Sequence, residues 1–204
     1  MNIILDDTQR ETHREIIYEI SVLCPETISR KIPRANIQQA FVLNKVRHFS
    51  TKDSEILCVG SYEDTACESL IRLGYNVIGI DPTLNASLEE YFKSTDKKFD
   101  VIFSTSVIEH VENDELFIDH ICKLLKPNGY GVLTCDFNNS YKSGDGKPSE
   151  DFRLYTKNDL LVRLNKILND NGCEMFGTID YDGVPDFVYG IYTYSFASYV
   201  FKKK

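Results

Sequence analysis

The chain is predicted to fold as an α/β protein, with a mostly parallel, doubly wound sheet, an antiparallel C-terminal edge and helices ahead of the sheet. Three observations predict this. Short runs such as Ile56–Val59, Val77–Ile80, Val101–Phe103 and Val132–Cys135 are apolar at nearly every position, as strands buried on both faces must be. Amphipathic helical patterns alternate with them. Each run also ends on a residue suited to a ligand-facing turn: Gly60, Asp81, Ser104 and Asp136.

The elements follow in order. Ile16, Ile17, Ile20 and Leu23 fall on one helical face that ends at Pro25, and a second helix follows Pro33. Its residues Ile37, Ala40, Phe41, Val42, Leu43 and Val46 are apolar around much of the circumference, which predicts burial. Arg34 and Asn36 stand at its start. Thr65–Leu73 is a helix with Ala66, Leu70 and Leu73 inward, stopped by Gly74. Glu115–Leu125 is another, with Phe117, Ile121, Leu124 and Leu125 inward, predicted to stop at Lys126-Pro127-Asn128-Gly129. The polar stretch Asn138–Asp151 is predicted as a long loop. Thr156 with Asp159 then opens a helix whose apolar face is Leu160, Leu161, Leu164, Ile167 and Leu168, ended by Gly172. Strands near Met175–Ile179 and Ile191–Phe201 are expected to pair as the antiparallel edge.

Composition narrows the function. A chain of 204 residues suits one domain, here 1–204 with residues 1–50 as an N-terminal helical extension and 51–204 as the core. A net charge of −8 argues against gripping nucleic acid through its phosphates. The one basic run, Lys202-Lys203-Lys204, is expected to be a solvated tail. Six scattered cysteines without a CxxC pair suit reduced core thiols, and no metal-ligand pattern is visible. Nothing resembles a signal peptide or a membrane span, so the expected location is cytoplasmic, with no membrane partner.

In an open α/β sheet, ligands bind beyond the carboxyl ends of the strands. That nominates Gly60, Asp81, Ser104–Ser106 and Asp136 as the rim of a site. Gly60 allows close backbone approach because it has no Cβ. Asp81 lies about 20 residues after the glycine turn, where a carboxylate can accept both hydroxyls of a ribose; a plain strand-ending turn at Asp81-Pro82 is the alternative. His110 is the one histidine on this rim and suits a general base, since imidazole titrates near neutrality; a helix-start role is the alternative for it, and the favoured one for Glu109.

Ile56-Leu57-Cys58-Val59-Gly60, Val77-Ile78-Gly79-Ile80-Asp81 and the block from Phe99 through Ser106-Val107-Ile108-Glu109-His110-Val111 resemble class I S-adenosylmethionine-dependent methyltransferases, a Rossmann-like family. Leu124–Gly129 with Gly131-Val132-Leu133, and Arg153-Leu154-Tyr155-Thr156 with Asp159-Leu160, extend the likeness over roughly Glu55–Gly172. The resemblance implies S-adenosyl-L-methionine as cofactor. Gly60, Ser61 and Tyr62 would sit beside its methionine part, Asp81 on the ribose, and Pro82, Thr83, Ser87 and Leu88 near the adenine. Ser104 and Thr105 would line the other side, and Ser106, Glu109 and His110 would border the substrate cleft. Asp136, Arg153 and Tyr155 flank the long loop and are candidates to touch substrate, although an Arg–Asp surface pair explains them as well.

The sequence departs from the family in two places. Cys58 stands where an acid is usual, and Gly60-Ser61-Tyr62-Glu63-Asp64 replaces a GxGxG run. Only Pro82–Lys98 separate two segments that normally flank a helix and a further strand. The leading expectation is methyl transfer to a small-molecule acceptor, with O-methylation of a sugar or another biosynthetic intermediate as the first class considered. A non-catalytic binding or partner subunit is the alternative, and a nicotinamide-dependent oxidoreductase is a weaker third.

Overall fold

The computed structural model describes residues 1–204. A short strand β1 (Asn2–Ile3) leads into helices α1 (Asp7–Thr12), α2 (Arg14–Leu23), α3 (Pro25–Ile28) and α4 (Asn36–Phe49). The α/β alternation follows as β2 (Ile56–Val59), α5 (Thr65–Arg72), β3 (Val77–Ile80), α6 (Leu88–Ser94), β4 (Phe99–Thr105), α7 (Asp114–Leu124) and β5 (Leu125–Phe137). The chain ends with α8 (Leu164–Asp170), preceded by a wide turn of helix, and with β6 (Cys173–Met175), β7 (Ile179–Asp180), β8 (Phe187–Tyr189) and β9 (Tyr192–Lys203).

The main sheet runs β3-β2-β4-β5-β9-β6, with β8 also paired to β9. Strands β3, β2, β4 and β5 are parallel, and β9 runs antiparallel between β5 and β6. The strand alternation distributes side chains to two cores. Ile56 and Cys58 of β2, Val101 and Phe103 of β4 and Val132 of β5 face one side with α4 and α5. Leu57, Val59, Ile102 and Leu133 face the other with α7 and α8. This is the doubly wound arrangement predicted from strands without a polar face. Phe41, at the centre of α4, is almost fully enclosed; truncating such a ring to alanine costs about 3–5 kcal/mol.

Several local expectations differ from the structure. Lys126–Gly129 does not lie in a loop after α7, because β5 already begins at Leu125 and carries these residues as its irregular first part. Asn128 adopts a positive φ of 65° there. A Cβ on Gly129 would lie 3.0 Å from the carbonyl oxygens of both Phe99 and Asp100, so the strand approaches its neighbour too closely for another residue. The expected strand Met175–Ile179 is split at Gly177 (φ 82°). Its second part, β7, leaves the main sheet to pair in parallel with β1. Lys202 and Lys203 are no free tail: both belong to β9, and the Lys203 ammonium donates to the carbonyl of Cys122 (2.7 Å). All six cysteines are unpaired and buried. No helix is long and apolar enough to cross a membrane.

Candidate functional site

The strand order reverses direction around β2, which has β3 on one side and β4 on the other. That switch point opens a crevice beyond the strand ends. A cleft of about 850 Å³ lies there, lined by the ends of β2, β3 and β4, the start of α6, the turn leading to α7 and the start of α4.

Gly60 ends β2 with φ 83°, and a Cβ on it would stand 2.3 Å from a methyl of Val107. Only glycine fits this position. The missing second and third glycines are replaced by other devices. Tyr62 turns half outward. Glu63 takes a positive φ of 53°, and its carboxylate is held by Arg30 (2.9 Å) and Lys31 (3.6 Å) from the segment ahead of α4. Asp64 caps α5, with Oδ1 accepting from the Cys67 amide at 2.7 Å. Its Oδ2 and the neighbouring hydroxyl of Thr105 are both buried and face each other without closing a full hydrogen bond. Burial raises the Asp64 pKa above the ordinary carboxylate value. Cys58, where the family usually has an acid, is enclosed and its thiol pushed well upward, first by burial.

Asp81 ends β3 and aims its carboxylate between two loops. Oδ1 accepts from the Thr83 amide (2.7 Å) and Oδ2 from the Tyr62 amide (3.3 Å). Beyond it, Ser87 and Glu90 form a reciprocal cap on α6. Leu88, Val111 and Phe117 supply apolar wall at this end. The short segment between β3 and β4 thus retains a helix, α6, and no strand.

Of the residues expected to hold the cofactor, all but Ser61 and Ser104 line this cleft. Ser61 packs against Gly79, where an added Cβ would meet its side chain at 2.9 Å. The Ser104 hydroxyl is buried and donates backward to the Val59 carbonyl (2.9 Å), tying β4 to β2. The remaining residues fit an elongated nucleotide-like molecule: a glycine floor, a carboxylate at Asp81, unpartnered acceptors at the Asp64 end and an apolar wall at the Leu88 end.

The acceptor side is built on β4 and β5. Ser106 has φ 55°; its hydroxyl donates to Glu109 Oε1 (2.6 Å) and receives the Gln38 amide (3.3 Å). Glu109 is fully buried, with Oε2 unpartnered. It sits in the helical turn Ile108–His110, so the helix-start reading captures its place but not its environment. His110 Nδ1 contacts Asp151 Oδ1 (3.1 Å) and the Glu150 carbonyl (3.2 Å), leaving Nε2 free. The Asp151 hydrogen bond is the main reason its pKa is pushed up to about 9, with burial opposing and the charges of Glu109 and Asp151 assisting. His110 therefore carries a proton at neutral pH in the free protein. Ser106 and His110 also line a second cavity of about 400 Å³, which extends to Asp136, Asp151 and the aromatic residues Phe187, Tyr189, Tyr194 and Phe196.

Arg153 and Tyr155, expected at the substrate, line neither cavity. The structure gathers them around Asp114 instead. Tyr155 is buried and donates to Asp114 (2.8 Å) and to the Ile108 carbonyl (3.2 Å). Arg153 reaches the same carboxylate at 3.1 Å, and Arg163 reaches it at 2.8 Å. Burial alone would raise the Asp114 pKa, but the hydrogen bonds from Arg163 and Tyr155 hold it below its ordinary value. This is a structural knot between α7 and the segment before α8. Conversely, Gln38, Asp64, Asp151 and Tyr194 were not among the sequence candidates. None carries a local motif; only Asp151, at the end of the polar loop, offered a hint.

Comparison with known proteins gives the same assignment. Residues 28–176 match the model of a methyltransferase domain family. A ubiquinone biosynthesis O-methyltransferase of Bartonella bacilliformis is 31% identical over 108 residues, covering 44% of this chain and 43% of the relative. The mitochondrial counterpart of Dictyostelium discoideum is 27% identical over 168 residues, covering 68% of this chain and 50% of the relative. The chain spans about half the length of these curated relatives or less. Among solved structures, TehB from Haemophilus influenzae superposes with a TM-score of 0.58 at 14% identity, over 80% of this chain and 62% of that one. The Burkholderia thailandensis 1,6-didemethyltoxoflavin-N1-methyltransferase, solved with bound 1,6-didemethyltoxoflavin and S-adenosylhomocysteine, gives 0.56 at 10% identity, over 94% and 89%. These likenesses carry the fold, and the match of residues 28–176 carries the family: the chain belongs to the class I S-adenosylmethionine-dependent methyltransferases.

Proposed function

We propose that this chain transfers the methyl group of S-adenosyl-L-methionine to a hydroxyl of a small-molecule acceptor. The observation that supports it best is a shared wall between two spaces. A nucleotide-sized cleft over Gly60, Asp81 and Thr105 and a second cavity are both lined by Gln38, Ser106 and His110. The curated relatives named as O-methyltransferases support oxygen as the acceptor atom.

When bound, the cofactor supplies a methyl group activated by a positively charged sulfur. Asp81 would accept from the ribose hydroxyls, as a carboxylate at a strand end can. Asp64 Oδ2 and Thr105 Oγ1 stand ready for the amino end, so Asp64 takes over the charge that Cys58 cannot supply. Gly60 lets the backbone pass close, and Pro82, Thr83, Ser87 and Leu88 border the base. His110 holds its Nδ1 on Asp151 and presents Nε2 as the group that removes the acceptor proton. Asp136 and Ser106 border the acceptor, and residues 1–50 act as a cover belonging to the same domain, with Gln38 and Lys31 at the shared mouth.

The test is calorimetry and thermal melting with S-adenosylmethionine and S-adenosylhomocysteine. Binding heat and a raised melting temperature at about 1 mM cofactor are expected, because a ligand that binds only the folded state stabilises it. No heat and no shift would overturn the proposal.

A further inference from the structure

The second cavity is unusual in what it leaves unpaired. Asp136 Oδ1, Asp151 Oδ2 and Gln38 Oε1 belong to residues that line it, each at least nine-tenths buried, and none of these atoms has a hydrogen-bond partner. Glu109 Oε2, just behind Ser106, is a fourth such oxygen. All four are acceptors when ionised or, for the amide, by nature; the Tyr194 hydroxyl faces Asp136, and Glu109 and Asp136 face each other. The charged donors facing them are few. His110 is committed through Nδ1 to Asp151, Lys147 donates to the Asp151 backbone carbonyl, and Lys31 at the mouth is drawn to Glu63 (3.6 Å). Buried polar atoms are normally satisfied, so a concentration of orphaned acceptors at one cavity marks where a ligand's donors belong. The same wall is aromatic: Phe196 is the cross-strand neighbour of Asp136, and Phe187, Tyr194 and Phe196 pack ring to ring, with centroids 4.5–5.9 Å apart, while Tyr189 joins them at the rim.

Carboxylates set beside aromatic rings form the environment that recognises an alkylammonium, through charge-assisted hydrogen bonds and cation–π attraction. We infer that this cavity seats a protonated amine carried by the acceptor, so that the substrate is a small amino-bearing hydroxyl compound anchored by Asp136, Asp151 and Gln38. This rests on the methyl-transfer reading for the word acceptor, though the amine site itself stands on the cavity alone. A carboxylate-bearing acceptor would be disfavoured, because it would bring further acceptor oxygens to a cavity whose own acceptors already lack donors. The Glu150 carbonyl, turned toward His110, adds a further acceptor on that side.

Three probes of nearly the same shape separate charge from packing: tyramine, the neutral 4-ethylphenol and the anionic 4-hydroxyphenylacetate. Each is titrated calorimetrically at pH 7.5 into the whole chain, with and without saturating S-adenosylhomocysteine. Tyramine is expected to bind at least about tenfold more tightly than either analogue, the advantage of one charge-assisted interaction. Asp136→Asn and Asp151→Asn, checked for folding by circular dichroism, should each reduce that preference severalfold. Equal binding of the three probes, preference for the anion, or no detectable binding of tyramine overturns the inference. So does a preference that survives both substitutions. The wild-type comparison needs no variant to fold. Failure of S-adenosylhomocysteine to bind is read in the same titrations and counts against the methyl-transfer reading alone.

Discussion

Two sets of buried acids, Asp114 on one side and Glu109 with Asp136 on the other, behave oppositely. Asp114, at the start of α7, receives Arg163, Arg153 and Tyr155, and its pKa is depressed despite burial. Glu109 and Asp136, on the rim, are equally enclosed but face each other's charge and that of Asp151, with His110 paired to the Asp151 carboxylate and Lys147 bonded only to the Asp151 backbone carbonyl. Burial and then the neighbouring charges push the Asp136 pKa far up, and burial raises that of Glu109. A charge buried for structure is surrounded by donors; the rim acids have fewer of them and are held in place by the rest of the fold, the arrangement expected where a ligand's donors complete the site. The difference explains why Arg153 and Tyr155 belong to the first group, although their position in the sequence suggested the second.

Removing the centre of the satisfied group should have the largest effect. Asp114→Ala removes the shared carboxylate of two guanidinium groups and a buried phenol, leaving Arg163 with Asp159 (2.9 Å) and Arg153 with the Glu112 carbonyl (2.7 Å); breaking a buried pair from one side costs about 3–5 kcal/mol. The arginines are about a quarter exposed, so the lower end of that range is expected, measured by urea unfolding followed by circular dichroism. A loss below about 1 kcal/mol would break the comparison, because Asp114 would then matter no more than a surface ion pair.

On the rim, the largest effects should appear in activity and leave the fold intact. His110→Ala is expected to lower kcat for methyl transfer about a hundredfold, the modest end of what a positioned base supplies. Full activity would return His110 to a helix-turn role. The wild-type rate should rise with pH along a limb near 9, since Nε2 accepts a proton only after the imidazolium has lost one. Asp151→Asn removes the largest cause of that raised value and should move the limb toward the ordinary histidine value of about 6.5. Next in size, Asp81→Ala should weaken cofactor binding about tenfold, the loss of one charge-assisted hydrogen-bonding group. Unchanged calorimetric affinity in a folded variant would remove Asp81 from the site.

The parts visible in the sequence were those with a local signature. Apolar runs gave the strands of the parallel sheet, Gly60 and Asp81 were marked by where those runs stop, and the Phe99–Val111 block carried the family. What the sequence concealed was settled by distant chain segments. Glu63 tolerates its positive φ where Arg30 and Lys31 come over from the N-terminal helices. Asp151 becomes a partner of His110 only after a loop of fourteen residues folds back. Lys126–Gly129 has the composition of a turn but lies in β5, because pairing with β4 overrides local preference. Arg153 and Tyr155 could not be separated from substrate contacts until α7 and the segment before α8 were placed side by side.

The smallest expected effect is also the one that most directly tests why the two groups of acids differ. Asp136 has a folded-state pKa raised above the unfolded value, first by burial. Between those two values the native state binds more protons than the unfolded chain, so this residue makes stability fall as pH rises. Asparagine keeps the shape and removes the titration. Asp136→Asn should therefore match the wild type near pH 4 and become relatively more stable toward pH 8, by about 1 kcal/mol. His110 adds to the wild-type trend with the same sign: its pairing with Asp151 stabilises fully below about pH 6.5 and is lost as pH rises through about 9. Comparing the two proteins pH by pH cancels most of that shared contribution. A variant less stable than wild type at pH 8 would mean that the Asp136 carboxylate is satisfied within the protein after all, as Asp114 is, and the orphaned oxygens of the second cavity would no longer point to a ligand.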